Sequence, residues 1–108
     1  MKIGCDIVKI QRFAGVSPAF LQKYFTKEER GYLAGKKDKP ETAAGIFAGK
    51  EAVFKTFGIN EFPVLSNIEI LHENNIPCVK LHGDYKKFGS AEISISHDGE
   101  YAVAYAVR

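Results

Sequence analysis

Two cysteines are all this chain has, Cys5 and Cys78, and their separation matches no metal-binding pattern. Two reduced thiols in a cytoplasmic protein are expected rather than a disulfide, each filling a small apolar place in the core. No uninterrupted apolar run is long enough to cross a bilayer. At the amino end, Lys2 and Asp6 bracket too short an apolar run for a signal peptide. Neither sign of charge dominates: the net value of +2 gives no strong field toward nucleic acid or a membrane. Any preference for anions must therefore come from local clustering. There is no internal repeat and no low-complexity segment.

What is present is ordinary for a folded protein. A hydrophobic share of 45% with 26% charged residues excludes wholesale disorder. The 108 residues suffice for one domain, 1–108, with a modest core, and are too few for two.

Taken in order, Ile3, Cys5, Ile7 and Val8 crowd together in a strand over residues 2–9, which predicts a central strand covered on both faces. Ser17-Pro18 supplies an N-cap and a first-turn proline for a short helix carrying Phe20, Leu21 and Tyr24. Thr26 and Glu29 have the spacing of a capping box opening a second helix, which Gly35 stops. The longest helix is predicted from Pro40 to Phe57, with Gly58 as its stop and Phe47, Phe54 and Phe57 as core side chains. Gly45 and Gly49 lie four residues apart in it, and imply that a backbone or a ligand comes close.

Ile68–Leu71 and Cys78–Leu81 form a hairpin around Asn74-Asn75. His82 to Gly89 is a polar loop with a helical turn. Glu92–His97 alternates, Asp98-Gly99 turns, and Tyr101–Val107 alternates again with small alanines that leave room for a neighbour. The expected class is α+β, a mainly antiparallel sheet packed on one long helix with shorter helices.

Charge inside the long helix is the unusual feature. Lys50, Glu51 and Lys55 interrupt a segment otherwise made of Ala, Phe, Val and Gly. Charged side chains are seldom buried without partners. Asp6 lies in the apolar first strand, and if strand and helix pack together the two carboxylates meet. Two such carboxylates repel unless a proton or a cation lies between them. With lysines alongside, a metal and a phosphorylated ligand become the natural inference.

Four blocks carry a family resemblance. They are Ile3-Gly4-Cys5-Asp6-Ile7-Val8 with Arg12, Phe25-Thr26-Lys27-Glu28-Glu29, the run Ala44 to Gly58 around Lys50-Glu51, and Ser94-Ile95-Ser96-His97 with Tyr101-Ala102. In these blocks and their order, the chain resembles the small trimeric holo-acyl-carrier-protein synthases, a class of 4'-phosphopantetheinyl transferase. The resemblance implies that family's fold. It implies transfer of phosphopantetheine from coenzyme A to a serine of apo-acyl carrier protein, with release of adenosine 3',5'-bisphosphate. It further implies Mg²⁺ held by Asp6 and Glu51, and a homotrimer with sites between subunits, which the alanine-lined last strand would suit.

Residue by residue, the resemblance makes Lys55 a ligand of the pyrophosphate, although spacing alone favours an ion pair with Glu51. Lys50 is the weaker phosphate candidate, facing solvent. The resemblance places His97 near the adenosine 3'-phosphate, reached from across the subunit boundary, although its position alone reads as structural. Lys36, Lys37 and Lys39 ordinarily make a solvated loop, but Lys37 is a candidate grip on coenzyme A phosphate. His72 and His82 are expected at strand ends without a catalytic role.

Ile46 stands where many members carry a phosphate-binding arginine, and Gly49 where alanine is usual. Ala19 lies in a helix that is often more basic in relatives, so Arg12 and Lys23 are the candidate contacts for the carrier protein. Glu51, or a water it orients, is the expected base for the serine proton. Two other readings fit one Asp, one Glu and lysines: a metal-dependent phosphoesterase, and a nucleotide-binding assembly module without turnover.

Overall fold

Five strands and three helices make up the computed structural model, which describes residues 1–108. Strand β1 (Ile3–Lys9) is followed by a 3-10 turn, Ile10–Phe13, and then by α1 (Pro18–Tyr24), α2 (Lys27–Ala34) and α3 (Lys39–Thr56). After a 3-10 turn at Leu65–Asn67 come β2 (Ile68–Glu73) and β3 (Ile76–Leu81). A further 3-10 segment, Gly83–Phe88, leads to β4 (Glu92–Asp98) and β5 (Tyr101–Val107).

The helix ends are set by the residues that the sequence offers. The Ser17 side chain accepts from the amide of Phe20 at 3.0 Å. At α2 both halves of the capping box form: the Thr26 amide donates to Glu29 at 2.8 Å, and the Glu29 amide donates to the Thr26 hydroxyl at 3.2 Å. A cap of this kind contributes about 1 kcal/mol. Asp38 caps α3 one residue ahead of the expected start, and Gly58 leaves it at φ +66. In the last hairpin, Asp98 pairs with Tyr101, so the turn is Gly99-Glu100 with Gly99 at φ +59.

All pairing is antiparallel. One sheet has the order β1-β5-β4, and β2-β3 is a separate two-stranded hairpin. Helix α3 lies across β1, β5 and β4 and also touches β2. Phe47, Phe57, Ile46, Val53, Ile68 and Ile70 form the core between these layers. Each large apolar side chain buried there contributes about 1.5–3 kcal/mol.

Several expectations are corrected here. The first strand is an edge, with β5 between it and β4; Ile3 and Ile7 are 67% and 63% exposed. Gly4, Asp6 and Val8 face the helix, so the crowded apolar residues belong to two faces, of which one is open. The alanines of β5, Ala102, Ala104 and Ala106, are fully buried in the core and admit the chain's own α3 to close range. Tyr101, Tyr105 and Val107 occupy the outward face instead. Both cysteines are exposed and free, not in the core. Gly45 and Gly49 make room for side chains of β4: a Cβ on Gly45 would lie 3.0 Å from Ile95, and one on Gly49 3.3 Å from Ile93.

Candidate functional site

Asp6 sits on the helix-facing side of β1 between Gly4 and Val8, its side chain only 18% exposed. The strand approaches α3 so closely that a Cβ at Gly4 would fall 1.9 Å from the carbonyl oxygen of Ala52. Only glycine permits this contact, and it carries Asp6 toward the turn of α3 that bears Glu51 and Lys55. The Lys55 ammonium donates to the Cys5 carbonyl at 2.8 Å and to Asp6 Oδ1 at 3.3 Å. Thus Lys55 binds the strand, where spacing alone would have paired it with Glu51.

Burial raises the pKa of the half-buried Glu51 above the usual carboxylate range, and the charge of Asp6 raises it further; Lys55 and Arg12 oppose both. The two acids therefore feel each other. No group of three or more His, Cys, Asp and Glu side chains gathers to form an all-protein metal cage. A pair of carboxylates in mutual repulsion suits a hard cation that takes few protein oxygens and keeps places for phosphate and water.

Glu51 also lines a cleft of about 530 Å³ with Arg12 and Lys23, the two cations expected to meet a partner. Phe20, Tyr24 and Phe47 supply its apolar wall, and Phe62, Pro63 and Leu65 a second one. The Arg12 guanidinium lies 5.7 Å from the centre of the Phe47 ring, which holds it at the cleft while leaving its donors free.

His97 and Lys37 do not join this group within one protomer. His97 lies 3.3 Å from Glu41 and lines a different cavity, of about 190 Å³, between α3, β4 and the β2-β3 hairpin. Ile46 lines that cavity too, where the resemblance would place an arginine. Lys37 is exposed in its loop.

The sequence reading missed a buried polar network beside the site. Lys50 does not face solvent. It is fully buried, 2.6 Å from Glu29, and donates to the carbonyls of Leu65 at 3.0 Å and Ile68 at 2.6 Å. Burial pulls its pKa down, while Glu29 pushes back. Glu29 also accepts from the Ile70 amide at 2.7 Å, so the capping residue of α2 ties α3 to β2. Glu69, nearly buried, accepts from Thr26 and lies 2.9 Å from His82. Burial would raise the pKa of Glu69, but the hydrogen bonds from Thr26 and His82 and the nearby positive charges lower it. His72 is within β2, stacked on Tyr32 at 4.0 Å, and shares the cavity of His97. Burial, then Lys36, lowers its pKa. A lysine amid Ala, Phe and Gly was the one signal for this network.

The 4'-phosphopantetheinyl transferase superfamily model matches residues 2–106. A holo-[acyl-carrier-protein] synthase of Finegoldia magna is 39% identical, covering 99% of this chain and 96% of that protein. The one from Clostridium novyi is 42% identical over 97% of this chain and 84% of its own. The crystal structure of the Helicobacter pylori holo-[acyl-carrier-protein] synthase in complex with coenzyme A superposes with a TM-score of 0.82 at 30% identity, covering 97% of both chains. No helix here is long and apolar enough to cross a membrane. Fold, match and relatives agree: the chain belongs to the 4'-phosphopantetheinyl transferase superfamily, within its holo-[acyl-carrier-protein] synthase group.

Proposed function

We propose that residues 1–108 act as one domain that transfers 4'-phosphopantetheine from coenzyme A to a serine of apo-acyl carrier protein in the cytoplasm. The serine oxygen forms a new bond to the pantetheine-bearing phosphorus. The pyrophosphate bridge breaks, and adenosine 3',5'-bisphosphate leaves. The observation that carries this reading is the convergence of Asp6, Glu51 and Lys55 where β1 meets α3, beside a cleft bearing Arg12 and Lys23.

Asp6 and Glu51 are the residues that would hold Mg²⁺, which when bound supplies charge neutralisation on the pyrophosphate. Glu51 takes the serine proton, directly or through a water it orients; its raised pKa brings it nearer to the range a general base needs. Lys55, half-exposed, can turn from Asp6 to a phosphate oxygen without a large desolvation cost. Arg12 and Lys23 receive the acidic carrier protein.

His97 and Lys37 belong to the nucleotide end of coenzyme A. His97 faces a cavity separate from that of Glu51 in one protomer, which fits a site completed by a neighbouring subunit. The outward face of the sheet, with Ile3, Ile7, Tyr101, Tyr105 and Val107 exposed, is an apolar surface suited to assembly, and supports a homotrimer.

The test is direct: incubate the protein with coenzyme A, Mg²⁺ and an apo-acyl carrier protein, and weigh the carrier by mass spectrometry. Addition of one phosphopantetheine group, abolished by a chelator, is the expected result. Release of free phosphopantetheine with an unmodified carrier would identify a hydrolase and reject the proposal.

A further inference from the structure

The segment Ile59–Asn67 is held firmly at one end and bare at the other. The Val64 amide donates to the Tyr85 hydroxyl at 2.9 Å, the Leu65 carbonyl accepts from buried Lys50 at 3.0 Å, and the Asn67 carbonyl accepts from the His82 amide at 2.8 Å. Leu65 itself is 4% exposed. Two residues before this anchored base stands Phe62, 95% exposed, followed by the rigid Pro63. Phe62 and Pro63 line the cleft that Lys23 and Tyr24 of α1 line as well.

An aromatic ring left wholly in water on an anchored support suits a macromolecular partner, because little ordering entropy remains to be lost when it is covered. Lys23 and Arg12 in the same cleft add a call for carboxylates next to an apolar side chain.

Resting on the function proposed above, we infer that Ile59–Asn67 is a second jaw for apo-acyl carrier protein, tipped by Phe62 and seated by the positioning residue Lys50. Phe62 covers an apolar side chain of the carrier while Arg12 and Lys23 take its neighbouring carboxylates. Lys50 never touches the carrier. It fixes the Leu65 carbonyl, and Glu29 keeps Lys50 in place.

The experiment measures steady-state transfer with carrier protein and coenzyme A varied separately. Phe62→Ala should raise KM for the carrier about tenfold, the scale of a hot-spot truncation, and leave kcat and KM for coenzyme A unchanged. Phe62→Leu should recover most of the loss. Replacing the buried pair together, Lys50→Met with Glu29→Gln, avoids a lone buried charge. That variant should stay folded by circular dichroism, yet share the higher carrier KM. Unchanged carrier KM in Phe62→Ala, or a rise in KM for coenzyme A instead, overturns the jaw while leaving the transferase reading intact. A wild-type protein that makes no holo product overturns both.

Discussion

Between Gly4 and Ala52 there is no room for even one methyl group: a Cβ on Gly4 would lie 1.9 Å from the Ala52 carbonyl oxygen. That contact sets how near the strand bearing Asp6 comes to the helix bearing Glu51. Gly4→Ala must therefore push β1 outward. The overpacking costs on the order of 1–3 kcal/mol, read as a lower midpoint in urea unfolding. Transfer should fall by much more than the lost folded fraction accounts for, because Asp6 moves with the strand.

Glu51→Gln separates stability from activity. The folded chain raises the pKa of Glu51, so it favours the protonated form; stability falls as pH rises through the unfolded and then the folded pKa, and stays lower above both. A neutral amide removes that loss. The variant should melt at a higher temperature than the wild type at pH 7, with the difference vanishing below about pH 4, near the unperturbed value. Its kcat should drop at least 100-fold, the scale of a lost general base. Mg²⁺ should raise the melting temperature of the wild type and not of Glu51→Gln; equal shifts would remove Glu51 from the metal site.

Lys55→Ala should separate them the other way. Its side chain is 52% exposed, and such a pair contributes less than about 1 kcal/mol. Thermal unfolding should hardly change, while kcat/KM for coenzyme A falls by about two orders of magnitude, as expected where a charge-assisted contact forms with the reacting phosphates. Near-normal turnover would return Lys55 to a merely structural pair with Asp6.

Glu69 gives the acid limb of stability. Its folded pKa lies below 4.5, so its hydrogen bonds from Thr26 and His82 stabilise the fold above the unfolded pKa and are lost as pH falls through the folded one. Glu69→Gln should cost about 1.5–3 kcal/mol at pH 7, the range for a hydrogen bond to a charged group. The chemical-denaturation curves of variant and wild type should converge as pH drops below about 4.5. A constant gap down to pH 2, well under any normal carboxylate range, would show that Glu69 acts through shape and not charge.

Local signals were legible because the chemistry that makes them is local. Ser17, Thr26 with Glu29, and Gly58 each act within a few residues, and the helices begin or end beside them. The hairpin around Asn74-Asn75 and the one closed at Gly99-Glu100, one residue beyond the expected turn, likewise follow from turn residues flanked by alternating strands. The candidate site residues Asp6, Glu51 and Lys55 also stood out, since charge within apolar runs needs a reason, and the structure brings Asp6 and Lys55 to 3.3 Å.

Coverage was not legible. An apolar strand tells which side chains avoid water but not what shields them, so β1 looked central and lies at an edge. Lys50 and Lys55 are equally basic in sequence; one is buried on Glu29, and the other reaches across to Cys5 and Asp6 in half-exposed surroundings. His97 and Glu51 belong to one expected site yet face separate cavities in the protomer. The amino-acid order by itself determined the elements, their caps and the donors available for chemistry, because those depend on neighbours along the chain. Only the tertiary structure decided which charges are buried, which meet and which face stays open, because burial and pairing depend on residues tens of positions apart packing against the same helix.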